Sequence, residues 1–169
     1  MPRLFVAVVP PDEVLDRVGA LPRPEVEGLR WTTRDQWHIT LRFLGQVDDV
    51  DAVTSVLRSA PFAPCEARFG AVDRFGRRVL HVPVAGLDDL GAAVVARTAA
   101  LGEPPDDRPF RGHITLARAR SRRGIDLRKL TGAPIVASWP VAEIVLVESH
   151  LHPEGARYEN VANVSTMEP

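Results

Sequence analysis

The sequence predicts an α+β fold built as two similar lobes, each an antiparallel sheet with outer helices, facing each other across a central groove. Three observations lead to it. The tetrapeptide His-Ile-Thr-Leu occurs twice, at His38–Leu41 and His113–Leu116, with the two histidines 75 residues apart. Each copy follows a strand-like run and then a helix-like run: Leu4–Val9 with Pro11–Leu21, and Val79–Val84 with Leu87–Leu101. Recurrence in a matched context is what marks a structural repeat. The strands also include hairpin-like neighbours, which argues for α+β over a strictly parallel sheet. Residues 1–169 are therefore read as one domain of two pseudo-symmetric lobes.

The elements follow in order. Leu4–Val9 is an apolar run ended by Pro10 and Pro11. Pro11 suits the first turn of a helix reaching about Leu21, with Asp12 and Glu13 at its positive end. The stretch from Pro22 to Gly28 leads to a strand around Trp37–Leu44, closed by Gly45. Asp48, Asp49 and Asp51 open a helix whose Val50, Val53, Val56 and Leu57 keep the helical period. Glu66–Val72 and Val79–Val84 read as strands joined by the turn Phe75-Gly76-Arg77-Arg78. Leu87–Leu101 is the clearest helix and stops at Gly102. A strand near His113–Ala117, a basic loop, a short helix or turn near Ile125–Leu130, and strands near Ile135–Ser138, Val141–Ser149 and Arg157–Val164 complete the chain.

Composition narrows the function classes. Hydrophobic residues make up 45%, charged residues 25%, and the formal net charge is −1, so the molecule as a whole is not a generic polyanion binder. Any nucleic-acid contact needs a local patch, and Arg108, Arg111, Arg118, Arg120, Arg122 and Arg123 supply one around the second repeat. Cys65 is the only cysteine, which excludes an internal disulfide and a multi-cysteine zinc site. No apolar stretch approaches the ~20 residues of a membrane span. The expected address is cytoplasmic, with no membrane contact.

Strand alternation puts His38 with Thr40, and His113 with Thr115, on one face, while Ile39, Leu41, Ile114 and Leu116 turn to a core. If the two strands meet, two imidazoles and two hydroxyls share a groove that can bind an anion and move protons. Neither repeat carries a second His, Cys, Asp or Glu at i+2 or i+4, so zinc would have to recruit Cys65 or His81 from elsewhere. No metal or other cofactor is expected.

On these residues the chain resembles the two-histidine phosphoesterase superfamily, and within it the RNA 2′,3′-cyclic phosphodiesterases long called 2′-5′ RNA ligases. The family motif His-x-Thr/Ser-x matches both tetrapeptides. Similarity extends to Arg3–Val8 with Pro10-Pro11, to Trp37–Gly45, to Arg108–Arg118, and to Leu146–Ser149 with Gly155–Tyr158. Gly112 departs from the proline common before the second histidine, and a looser start to that strand is expected. The resemblance implies a bilobal fold and metal-independent opening of a terminal 2′,3′-cyclic phosphate to a 2′-phosphate. It further implies His113 as the base that activates water and His38 as the proton donor, although pseudo-symmetry permits the reverse. Thr40 and Thr115 would bind the phosphate oxygens.

Two arginines compete to complete the anion site. Parity favours Arg42, four residues after His38, whereas the resemblance favours Arg118, five after His113; a bulge or strand end after Leu116 would reconcile the second with its strand. Parity makes Phe43 core. Trp31 and Phe110 are candidates for base stacking, core packing or groove wall, His81 for a packed strand histidine, and His150 and His152 for an exposed loop. Ser149 and Tyr158 match family positions without a derivable role. The expected partner is RNA or a nucleotide ending in a 2′,3′-cyclic phosphate, met by a monomer with no obligate protein partner. Joining or cleaving 2′-5′ diesters at the same site, and a non-catalytic RNA-end-binding module, are the alternatives.

Overall fold

The structure is a computed structural model describing residues 2–167. In chain order it contains β1 (Arg3–Val8), α1 (Asp12–Gly19), β2 (Leu29–Trp31), β3 (Ile39–Gln46), α2 (Val50–Leu57), β4 (Glu66–Phe69), β5 (Asp73–Phe75) and β6 (Val79–Ala85). There follow α3 (Asp88–Thr98), β7 (His113–Ala119), β8 (Ser138–Pro140), β9 (Glu143–His152) and β10 (Gly155–Ser165). One sheet has the order β10-β9-β1-β3; the other runs β2-β7-β6-β4-β8, with β5 also on β6. The strand pairs are antiparallel in both. The expected two-lobed α+β fold is the observed one.

Both repeats sit in equivalent places. β3 pairs with β1, the strand that precedes it by a helix and a loop, and β7 pairs with β6 in the same way. One apolar core joins the inner faces: Leu4, Val6 and Val8 of β1, Ile39, Leu41 and Leu44 of β3, Leu80 and Val82 of β6, and Ile114 and Leu116 of β7. Val14 and Val18 of α1, Val53 and Leu57 of α2, and Leu90 and Val94 of α3 close it from outside. Asp49 caps α2 by accepting from the Ala52 amide, satisfying a donor the helix leaves free. Past α3, Gly102 has φ +66°, and the Leu44 carbonyl lies where its Cβ would be; Glu103 then donates to that carbonyl at 2.8 Å. Only glycine lets this turn settle onto the end of β3.

Several boundaries move for identifiable reasons. The expected strand Glu66–Val72 ends at Phe69, and a separate β5 begins only at Asp73; opposite the gap β6 carries Pro83, whose carbonyl accepts from Gly70 but which has no N–H to return. Most of Ile135–Ser138 is irregular, with only Ser138 entering β8. His150 and His152 are exposed as expected but lie within β9, not in a loop after it. Gly112 is tied to β6 at the start of β7. Its carbonyl accepts from the Val84 amide at 2.8 Å, and an added Cβ would lie 2.6 Å from the Val84 carbonyl.

The consequential difference is a pair of β-bulges. Val6 pairs with Arg42 and Ala7 with Thr40, skipping Leu41; Leu80 pairs with Ala117 and His81 with Thr115, skipping Leu116. Each bulge falls on the leucine of a repeated His-Ile-Thr-Leu, and each inverts the alternation beyond it. In β3, Leu41 and Arg42 are consecutively buried and Phe43 is 42% exposed; in β7, Leu116 and Ala117 are consecutively buried and Arg118 is exposed. The expectations for Arg42 as a phosphate ligand on the face of His38 and for Phe43 as core are both corrected by this one insertion.

Arg42 is instead a buried strut. Its guanidinium donates to the carbonyls of Phe43 (3.0 Å), Leu101 (3.1 Å) and Glu103 (2.7 Å) and to Thr98 Oγ1 (3.4 Å), tying β3 to the end of α3. Arg42→Ala strands those acceptors, and an unfolding midpoint in denaturant is expected to register a loss of about 2–4 kcal/mol. The ring titrations of His38 and His113, followed by NMR, are expected to stay where they are.

Candidate active site

The two repeats meet in a groove of about 320 Å³ lined by His38, Thr40, His113 and Thr115 together with Arg30 and Arg118. Phe5, Phe43, Trp31 and Tyr158 form its aromatic walls, and Gln36, Thr32 and Ser149 its further polar edge. Of the sequence-derived candidates, five are brought together and Arg42 is not. Arg118 reaches the groove because of the Leu116 bulge. Thr32 holds that bulge: its amide donates to the Leu116 carbonyl at 2.9 Å, and its hydroxyl lies 2.7 Å from the Thr115 carbonyl.

Each histidine ring is set by its surroundings. His113 Nδ1 donates to the Arg111 carbonyl at 2.7 Å, which leaves Nε2 as the bare nitrogen of the neutral ring. His38 Nε2 lies 3.0 Å from Thr40 Oγ1. The His38 ring stacks on Phe5 (centroids 4.7 Å, 28°) and meets Tyr158 edge-on (5.1 Å, 87°). His113 meets Phe75 edge-on (4.8 Å, 86°) and lies 5.3 Å from the ring of His81. Three-ring clusters thus hold both imidazoles.

Burial disfavours the charged ring at both positions. It pushes His38 down to about 4 against the opposing pull of the Gln36 backbone, and the nearby His113 and Arg118 charges lower it further. His113 is lowered by burial and by Arg118, with the Arg111 carbonyl opposing. In the free protein both rings are neutral at neutral pH. A bound anion reverses the balance, because a negative charge between them favours protonation.

Arg30 is a groove residue the sequence reading missed. It stands directly opposite Arg118 across β2 and β7, and neither guanidinium has a carboxylate partner among the described residues. Like charges face to face are unfavourable in a sheet unless an anion lies between them. The Arg30 guanidinium also rests against Gly155, where a Cβ would collide with it. Phe43, Phe5, Thr32 and Gln36 were missed as well, and for Phe43 the signal was available: it stands five residues after His38, as Arg118 stands five after His113. Trp31 spends its Nε1–H on the Pro24 carbonyl (2.9 Å), and Phe110 packs against Gly91. Among the described residues, the one group able to offer three metal-ligand atoms is Glu148, His150 and Glu159, none of which lines the groove. No helix of the described residues is long and apolar enough to cross a membrane.

Comparison with known proteins agrees with this geometry. Residues 10–153 match the profile of the 2′-5′ RNA ligase superfamily. An RNA 2′,3′-cyclic phosphodiesterase of Geobacillus stearothermophilus is 33% identical over 78% of the chain, which spans only 46% of that longer protein. One of Archaeoglobus fulgidus is 26% identical over 94% of the chain and 97% of its own length. Among solved structures, a Thermus thermophilus protein superposes with a TM-score of 0.78 at 28% identity, covering 98% of each chain. Escherichia coli LigT complexed with 3′-AMP gives 0.76 at 25% identity, covering 99% of this chain and 100% of that one.

Because the folded state keeps His38 neutral and the unfolded chain does not, the contribution of His38 to stability is lost as pH falls from its ordinary 6.5 toward about 4. Thermal unfolding between neutral pH and about pH 5 is expected to be less pH-dependent in His38→Phe than in the parent. Inorganic phosphate is expected to move the His38 titration upward by NMR; an unmoved titration at saturating phosphate would contradict the anion site.

Proposed function

Since the chain belongs to the 2′-5′ RNA ligase superfamily, we propose that it is a metal-independent RNA 2′,3′-cyclic phosphodiesterase that opens a terminal cyclic phosphate to a 2′-phosphate. The observation that carries this reading is the convergence of both His/Thr pairs on one groove, beside two arginines with no carboxylate partner among the described residues. The cyclic phosphate enters as a monoanion between the imidazoles and raises their pKa values, so that one ring is charged when chemistry begins.

His113 is the base. Its Nδ1–H is committed to the Arg111 carbonyl, so Nε2 takes a proton from water as the water oxygen bonds to phosphorus. The bond from phosphorus to O3′ breaks, and His38 delivers the Nε2 proton to that oxygen. The product carries a 2′-phosphate and a free 3′-hydroxyl. Thr40 and Thr115 donate to the non-bridging oxygens, where charge builds, and Arg118 with Arg30 balances it. The exposed face of Phe43 and the edge of Tyr158 offer apolar surface for the base. The protein acts as a cytoplasmic monomer on RNA ends, without a cofactor.

A second reading, cleavage or joining of a 2′-5′ diester, is favoured by one observation. A further cavity of about 540 Å³ lies beyond His38, sharing Phe5, His38 and Tyr158 with the groove and adding Trp37 and Asn160. A 2′-5′ diester places a second nucleoside on the leaving side of phosphorus, whereas a cyclic phosphate does not.

Phosphorus NMR of a 2′,3′-cyclic nucleotide is expected to give the 2′-phosphate in excess chelator. His38→Ala and His113→Ala are each expected to lower kcat by about 10²–10⁴-fold. Thr40→Val or Thr115→Val is expected to cost about 10–10³-fold, mostly in kcat. Full rates in both histidine variants, or activity abolished by chelator, would overturn the reading. Turnover of 2′-5′ diesters in place of cyclic phosphate would favour the second one, and tight binding without turnover an RNA-end-binding module.

A further inference from the structure

The chain carries a third histidine, buried behind His113, that the chemistry above leaves unused. His81 of β6 is only 4% exposed, and neither ring nitrogen meets a partner at full hydrogen-bond geometry, although the Arg74 and Val82 backbone lies near enough to act on its charge. It stacks face to face on Phe75 (centroids 3.9 Å, 24°), and both rings bear on His113, at 5.3 Å and 4.8 Å. In register it lies opposite Thr115 on one side and Asp73 on the other.

The other lobe shows that the fold does not require an imidazole here. Opposite Thr40, the place of His81 is taken by Ala7, and the His38 ring is held by Phe5 and Tyr158. A phenyl ring at position 81 would stack on Phe75 as well and bury no bare nitrogen. Packing therefore accounts for a ring at this position but not for its two polar atoms, and a buried polar group without a partner is costly enough to need a reason.

We propose that His81 is a positioning residue for His113: a neutral imidazole behind the reacting ring that fixes its plane and stabilises its charge after it accepts the proton from water. The proposal rests on the reading of His113 as a proton-accepting base. With Phe75 it forms a wall against which His113 can rotate little, so that Nε2 stays aimed at the phosphate while Nδ1 holds the Arg111 carbonyl. Neutral imidazole offers one lone pair, which Phe75 does not, and so supplies a dipole toward the new imidazolium. His81 itself gains and loses no proton in the step. Burial and the His113 charge keep it neutral, and the opposing pull of Asp73 and of the Arg74 and Val82 backbone is smaller. Arg118 is the other charge bearing on His113, and it is unchanged by substitution at 81.

The test uses the full chain and a 2′,3′-cyclic mononucleotide, with His81→Phe retaining the ring and His81→Ala removing it. Ring NMR of the parent is expected to find His81 neutral through about pH 5. His81→Phe is expected to stay folded, to lower the His113 titration, to move the acid limb of the kcat/KM profile with it, and to reduce kcat about 10-fold with KM nearly unchanged. His81→Ala is expected to lose more kcat and to broaden the His113 ring signals. Parent-level kcat with an unmoved or raised His113 titration in His81→Phe would overturn the proposal, as would titration of His81 near its ordinary value in the parent. A parent that titrates as described but does not turn over the cyclic nucleotide would sink the functional reading and leave this pairing standing.

Discussion

The groove depends on one backbone irregularity made twice. A regular strand with His38 and Thr40 on one face would continue that face with Arg42, and one with His113 and Thr115 would continue with Ala117. An extra residue at Leu41 and at Leu116 puts two successive side chains into the core and returns the next one to the groove. The third groove residue on each strand is therefore the fifth after its histidine. The Thr32 contacts to the Leu116 carbonyl supply the hydrogen bonds that the skipped position no longer finds on β6. Arg118 faces the groove and Arg42 braces the interior because of this geometry, which the residue types alone do not dictate.

The same device produces unlike halves. The fifth residue is aromatic in the first lobe and cationic in the second, and Arg30 adds a second guanidinium beside Arg118. Charge is therefore concentrated on the His113 side of the groove and apolar surface on the His38 side. Such a division suits a ligand with an anionic end and an apolar end, one drawn to each wall. His38 is the more deeply buried ring, and an anion in the groove would offset the burial that disfavours its charged form.

The aromatic clusters make the two imidazoles rigid by different means. Phe5 and Tyr158 surround His38 with rings that cannot change charge near neutral pH; Phe75 and His81 surround His113 with one that cannot and one that is kept from doing so. Two-fold pseudo-symmetry of the backbone thus leaves room for a chemical distinction between the two rings.

From the letters alone came the repeat, its matched contexts, the α+β class and the four residues His38, Thr40, His113 and Thr115. These are local quantities: a tetrapeptide and the period-two alternation of a short strand survive in any tertiary setting. The start of α2 at Asp49 was legible for the same reason, being set by capping, whereas α3 ends at Thr98, short of the positive-φ turn at Gly102. Only the folded chain decided Arg42, Phe43 and Arg30. The first two turn on a bulge that depends on how β3 registers with β1, and Arg30 belongs to the groove because β2 happens to pair with β7. Register between strands distant in sequence is a property of packing, and a one-residue slip reverses every face beyond it. His81 marks the same boundary: its apolar neighbours announced burial, but only the tertiary structure laid it against His113.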